Sequence, residues 1–195
     1  MKIAKRILFT FLILLLVLGG TGLWLLFGSR TSNPKNYAHI GEIPTPSGYE
    51  RVVGTNPGYT QFLRALPLKP KGSKVHLYTG GKAFFQPMNY AVVDLPLLSN
   101  AEQCADACMR LRAEYFYQTG QYNNIQFQDV NGHTLHYRGG ASREALHRYL
   151  RHLYGVASTF SLSREMQPRT LAEIQPGDVF VYPGEGQFLG HAVLV

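Results

Sequence analysis

Cysteine is scarce in this chain, with only Cys104 and Cys108 among 195 residues. The two lie four residues apart in a stretch whose apolar pattern is helical. On a regular helix, side chains at this spacing cannot adopt the torsion angle that a disulfide requires. The sequence therefore predicts two free thiols and excludes a fold held together by disulfides.

Acidic residues are also few, with 12 Asp and Glu against 19 Lys and Arg, which gives a net charge of +7. The excess falls to +4 (7 − 3) without the N-terminal Lys2, Lys5 and Arg6, and it is spread along the chain. A diffuse excess of this size suggests at most proximity to anionic lipid or cell-wall polymer. Charged residues are only 16% of the chain and hydrophobic ones 45%, which excludes disorder for most of it.

The N-terminus carries a targeting signal. Lys2, Lys5 and Arg6 precede an apolar stretch, Ile7 to Gly28, of 22 residues. As a helix it would span about 33 Å, the thickness of a bilayer core. Residues 1–28 are predicted to be a signal anchor in the cytoplasmic membrane, and the alternative is a cleaved signal peptide. Either way the rest of the protein is expected in the cell envelope, on the outer (periplasmic) side, where nucleic acid is excluded as a partner.

Residues 29–42 are predicted to be a polar linker, and residues 43–195 one α+β domain with antiparallel strand pairs. A helix is predicted over residues 100–118, with a capping box of Ser99 and Glu102 or of Asn100 and Gln103. Along it, residues 106, 110 and 114 are expected to pair on the surface. The other predicted elements are helices at 59–66 and 142–160, two hairpins at 74–86 and 124–137, a strand at 90–95 and two final strands at 179–181 and 191–195.

Cys104 and His191 are the candidate catalytic residues. Cys104 lies near the predicted helix start, where unpaired backbone N–H groups and the helix dipole favour a thiolate. His191 follows Gly190 at the head of an apolar strand, from which it could reach over the sheet edge and activate the thiol. The alternatives are that Cys104 is a core residue and that His191 hydrogen-bonds to the backbone at a strand end.

The segment Gln175 to Val195 resembles the NlpC-type and CHAP cell-wall peptidases, in which a strand opened by Pro-Gly-Asp precedes a strand opened by the catalytic histidine. The resemblance implies a papain-like fold, with Cys104 as nucleophile and His191 as general base acting on peptide or amide bonds of peptidoglycan. Those enzymes carry Asp-Cys followed by small residues, whereas this chain has Asp106 just past the thiol. A third, orienting group is expected beyond Val195, in a longer protein of which this chain is a C-terminally truncated piece.

Five segments are similar to the family called domain of unknown function 4846: residues 75–80, 91–94, 103–115, 177–180 and 190–193. This resemblance implies a bacterial envelope protein in which Cys104 and His191 belong to one set of motifs. It implies no activity, cofactor or metal, and the residues that bind substrate stay unknown. The alternative to a hydrolase is therefore a catalytically inactive papain-like domain that binds a cell-wall or lipid component.

Arg110, Arg112 and Glu114 raise a second question of function. They could bind an acidic ligand such as a peptide carboxylate. The expectation we favour is that they form solvated pairs on the helix surface, each contributing a few tenths of a kcal/mol.

Overall fold

The computed structural model describes residues 36–77, 79–84, 86, 89–184 and 190–195. The chain divides into two compact units. Of the described residues, unit 1 contains those within 36–38 and 67–94, and unit 2 contains those within 39–66 and 95–195. The predicted anchor or signal segment, residues 1–28, lies outside the described residues. Across the described ranges no helix combines the length and the hydropathy needed to cross a membrane.

The described residues of unit 1 are mostly irregular backbone, and isolated antiparallel bridges join Leu68 with Val93 and His76 with Lys82. The second bridge lies where the hairpin at 74–86 is predicted, although Tyr78 of that hairpin is not described. The strand predicted at 90–95 is reduced to the single bridge at Val93.

The helices and paired strands of the described residues lie in unit 2. Its α-helices are α1 (Pro57–Arg64), α2 (Cys104–Gln118), α3 (Arg143–Val156) and α4 (Thr159–Glu165), with short 3-10 helices at Ile40–Glu42, Tyr122–Asn124 and Leu171–Glu173. Side chains that accept a backbone N–H start α1 and α3. Asn56 accepts from Tyr59 at 3.0 Å, and Ser142 accepts from Ala145 at 3.2 Å.

The single helix predicted over residues 142–160 is wrong at its C-terminal end. α3 ends at Val156, and Ala157 and Ser158 are extended. The Ser158 hydroxyl then accepts the N–H of Phe160 at 3.2 Å and starts α4. A serine side chain competes for backbone N–H groups in this way, which favours a new helix start over continuation of the old helix.

Two separate antiparallel sheets complete unit 2. They pair β1 (Gln126–Gln128) with β2 (Thr134–His136), and β3 (Val179–Tyr182) with β4 (His191–Leu194). The hairpin predicted at 124–137 and the two final strands are thus confirmed, and the fold is mixed α+β with antiparallel pairs.

The core of unit 2 lies where its helices meet these sheets. Leu146, Leu150 and Leu153 form a fully buried stripe of α3, and they share one cluster with Met109 of α2 and Ala192 of β4. α2 packs against β4, and α4 packs against β1 and β3. The helix that begins at Cys104 is therefore held against the strand that begins at His191.

Candidate functional site

The start of α2 differs from its prediction. The helix begins at Cys104 instead of residue 100, and Gln103 is the residue that caps it. The Gln103 N–H donates to the Asp106 carboxylate at 2.9 Å. Both predicted capping boxes are therefore wrong, and Cys104 is the first helical residue.

α2 begins later than predicted because the carboxylate of Glu102 is bound by other partners. This carboxylate accepts the N–H of Leu98 at 2.9 Å and pairs with Arg110 at 2.9 Å. Arg110 also donates to the carbonyl of Pro96 at 2.8 Å. The side chains of Glu102 and Arg110 are only 3% and 5% exposed. This buried ion pair fixes the backbone that leads into Cys104.

The surface pairing predicted along α2 is also wrong, because Asp106, Arg110 and Glu114 are all buried. Their partners come from elsewhere in the chain: Arg110 pairs with Glu102, and Glu114 pairs with Arg143 at the start of α3. Charged residues four apart occur both on solvent-exposed helix faces, where they pair with each other, and on buried polar faces. The sequence pattern could not separate the two.

Cys104 is a free thiol that is half-buried and packs against the edge of the core cluster. The first helical hydrogen bond runs from the Ala107 N–H to the Gln103 carbonyl at 2.9 Å. The N–H groups before Ala107 are thus not used by the α-helical ladder, and such groups favour a nearby anion. Burial raises the pKa of Asp106 to about 6, so this carboxyl is mostly charged at neutral pH and adds a negative charge in the same turn.

Cys108, one turn further along α2, has a different environment. It is also a free thiol, but it is buried. Burial, together with the nearby Cys104 and Asp106, raises its pKa to about 11. Since the thiolate is the reactive form, this raised pKa disfavours reaction of Cys108 near neutral pH.

His191 is the first residue of β4, as predicted, and it pairs across the sheet with Tyr182. Side chains alternate between the two faces of a strand. Ala192 is buried, whereas His191 and Val193 are exposed. The exposed Phe180 and Tyr182 of β3 lie on the same outer face. The His191 ring therefore belongs to the face opposite the buried cluster.

Gly190 determines how the chain enters β4. A side chain on Gly190 would place its Cβ 1.9 Å from the Thr159 hydroxyl oxygen and 2.7 Å from the Tyr182 carbonyl. Only glycine fits this approach to the start of α4. The Gly-His pair noted in the sequence thus has a packing reason for its glycine.

The structure brings together the two elements of the predicted catalytic pair, because α2 packs against β4. Among the described residues, no hydrogen bond joins the Cys104 thiol to the His191 ring, and no side chain hydrogen-bonds to that ring. Pairing of the two side chains stays a prediction.

Asp178, from the Pro-Gly-Asp motif, has a structural role. Its carboxylate accepts the Gln175 N–H at 3.0 Å and pairs with Arg169 at 3.3 Å. These contacts close the turn that leads into β3.

A cavity of about 590 Å³ in unit 2 was missed by the sequence analysis. Cys108, Arg112 and Phe116 line it from α2. Their four-residue spacing on one helix face is the signal that could have found it. From the sequence, Cys108 is predicted to be a core residue and Arg112 a solvated surface residue.

Comparison with known proteins gives one match. The pattern of the family described as Domain of unknown function (4846) matches residues 41–140, which is 100 of the 195 residues and includes Cys104. No curated protein and no solved structure matches the chain. The chain therefore belongs to the Domain of unknown function (4846) family, as its motifs predict.

Proposed function

We propose that unit 2 is an envelope-facing cysteine hydrolase with a papain-like arrangement, acting on cell-wall peptide or amide bonds. One observation carries the proposal: the helix that begins with Cys104 packs against the antiparallel strand that begins with His191. A helix N-terminus favours a thiolate, and a histidine that comes within hydrogen-bond reach of the thiol can activate it as a nucleophile.

In the proposed reaction, the His191 imidazole removes the proton from the Cys104 thiol. The thiolate then attacks the carbonyl carbon of the substrate, and a thioester forms as the C–N bond breaks. The imidazolium returns its proton to the leaving amine. Water, deprotonated by the same imidazole, hydrolyses the thioester and regenerates the thiol.

This chemistry sets a condition on His191. Because its side chain belongs to the outer face of the sheet, the ring has to reach over the end of the sheet to meet Cys104. The first position of a strand is where such a reach is easiest, because no earlier strand residue on that face blocks it. Gly190, without a side chain, precedes it.

The proposal is tested by alkylation of Cys104 with iodoacetamide in a Cys108→Ser background, near neutral pH. A working base makes Cys104 react faster than a free cysteine, and His191→Ala lowers that rate by about tenfold or more. His136→Ala, which removes another exposed strand histidine, is the matched control and leaves the rate unchanged. A Cys104 rate that is the same with and without His191 would rule out the pair.

The second candidate is a papain-like domain that is catalytically inactive and binds a cell-wall or lipid component. The outward position of His191, without a hydrogen bond to Cys104 in the described structure, favours it. Incubation with purified peptidoglycan separates the two functions. A hydrolase releases soluble fragments that Cys104→Ala abolishes, whereas a binder pellets with the polymer, releases nothing and is unaffected by Cys104→Ala.

Location is part of both proposals, since either substrate or ligand lies outside the cytoplasm. We propose that residues 1–28 anchor the chain in the cytoplasmic membrane or direct its export, with the domain on the outer side. A C-terminal alkaline phosphatase fusion, which is active only outside the cytoplasm, is expected to be active. Loss of that activity on replacing residues 7–28 with a polar sequence is the expected control result, and an inactive fusion would contradict the placement.

A further inference from the structure

The cavity of about 590 Å³ is separate from the predicted catalytic pair, because neither Cys104 nor His191 lines it. Its walls come from α1, α2, α4, the start of β1 and the turn before β3, all within unit 2. Cavities of about 300–1,000 Å³ are the usual size for small-molecule sites. The chemistry of the lining therefore decides what this one could hold.

Arg112 is the distinctive side chain of the lining. Its guanidinium carbon lies 5.0 Å from the centre of the Tyr59 ring and 4.6 Å from that of Phe116. The guanidinium carbon thus lies over two aromatic rings, and these cation–π contacts position the group. Within the described part of the chain, Arg112 forms neither an ion pair nor a hydrogen bond. A positioned guanidinium fork with unused donors matches the two oxygens of a carboxylate.

The other charges of the lining are already engaged. Arg169 pairs with Asp178 at 3.3 Å. Glu165 accepts a backbone N–H from Gln128 at 3.1 Å, and burial raises its pKa. Neither carboxylate forms an ion pair with Arg112. Among the described ionic groups that line the cavity, Arg112 is the cation without an ion pair. An anionic ligand would balance its charge.

Neutral amides complete the lining. Gln175 uses its side-chain oxygen to accept the Thr55 N–H at 2.6 Å, which leaves its NH₂ group for another partner. Gln126 also lines the cavity. Side-chain amides donate to carbonyls and accept from N–H groups, so they suit peptide groups. The lining thus offers a carboxylate-binding group together with groups that match a peptide bond.

We propose that this cavity binds the free carboxylate end of a short peptide or N-acylated amino acid, with Arg112 holding the carboxylate through two hydrogen bonds. Tyr59 and Phe116 position Arg112, and the amides of Gln126 and Gln175 contact the adjoining peptide group. The site does not depend on the chemistry of Cys104 and His191. It is available to a hydrolase and to a binding domain alike.

The test uses the full chain and two matched probes, N-acetyl-alanyl-alanine and its C-terminal amide, with dissociation constants measured by ligand-observed NMR. The acid is expected to bind at least about tenfold more tightly than the amide, because the amide loses one charge-assisted pair of hydrogen bonds. Equal binding of acid and amide overturns the proposal. So does the absence of acid binding at about 10 mM, where even a millimolar complex is visible.

Variants of Arg112 locate the site. Arg112→Gln is expected to remove the preference for the acid, and Arg112→Lys to retain only part of it, since lysine keeps the charge but lacks the fork. Arg148→Gln, an exposed arginine of α3 that does not line the cavity, is the matched control and keeps the preference. Each variant is first checked for an unchanged circular dichroism spectrum.

Acid binding that persists in a folded Arg112→Gln variant places the carboxylate elsewhere and overturns the assignment. Cys104→Ala separates this inference from the proposed catalysis. It is expected to abolish hydrolysis and leave binding of the acid unchanged, so that either idea can fail alone.

Discussion

Two thiols one helical turn apart on α2 have opposite environments. Cys104 is the first residue of the helix, half-buried beside backbone N–H groups that the α-helical ladder does not use. Cys108 is buried, and its pKa is raised to about 11. The structure thus leaves the Cys104 thiol accessible and buries the Cys108 thiol, although both lie on the same helix. Position relative to the helix start and the core decides which thiol could do chemistry.

The difference depends on where α2 begins, and the buried pair of Glu102 with Arg110 sets that point. Arg110→Met removes one partner and leaves a buried carboxylate without compensation. We expect a loss of about 3–5 kcal/mol in the free energy of unfolding, measured by urea denaturation. Arg148→Met, in an exposed pair with Glu144, is the control and is expected to change stability by at most about 0.5 kcal/mol. A loss below about 1 kcal/mol for Arg110→Met would mean that the pair does not hold the helix start.

The contrast between the thiols themselves is tested by the pH dependence of Cys108 alkylation in a Cys104→Ser background. Burial is the main cause of the raised pKa of Cys108 and persists when Cys104 is replaced, so the thiolate fraction of Cys108 at pH 7.5 is expected to be at least about tenfold lower than that of a free cysteine. The rate should still be rising at pH 10. A plateau below pH 9 would show that Cys108 is not held as a buried thiol.

Asp106, between the two thiols, makes stability depend on pH. Burial raises its pKa to about 6 in the folded state, above the value near 3.9 of an unfolded chain. Between about pH 4 and 6 the folded state binds more protons, so the free energy of unfolding falls as pH rises through this window. Two pKa units set an upper bound of about 3 kcal/mol on this change, and solvent screening lowers it.

Asp106→Asn is expected to remove that contribution from a series of denaturation curves between pH 4 and 7. Part of the slope should remain, because burial also raises the pKa of Glu165. An unchanged slope would show that Asp106 is ionised in the fold as readily as in the unfolded chain.

The smallest expected effect concerns Gly177, which lines the cavity. Gly177 has a φ of +98°, and an added Cβ would lie 2.8 Å from the Tyr59 ring. Gly132 has a similar φ of +87° with nothing within 4 Å of such a Cβ. We expect Gly132→Ala to cost about 1 kcal/mol from backbone strain, and Gly177→Ala to cost about 1 kcal/mol more because Tyr59 has to move. Equal melting temperatures for the two variants would contradict the close approach of Gly177 to Tyr59.

Local patterns predicted local structure well. Alternating apolar residues and a turn at Gly132 predicted the β1–β2 hairpin, and the two final apolar runs predicted β3 and β4. The misses have non-local causes. Glu102 is taken by Arg110 and cannot cap the helix at Ser99, and Glu114 finds Arg143 on another helix. Contacts such as these lie outside the regular spacing of a single helix, and the cavity around Arg112 is likewise lined by residues from several elements.

The most direct test of the account is the pH profile of Cys104 alkylation in a Cys108→Ser background, with and without His191→Ala. We expect Cys104 to react at pH values below those at which an ordinary thiol ionises, because His191 removes its proton, and we expect His191→Ala to abolish this acid-side reactivity. A single rise at the pH of an ordinary thiol, identical in both proteins, would contradict a catalytic pair of Cys104 and His191.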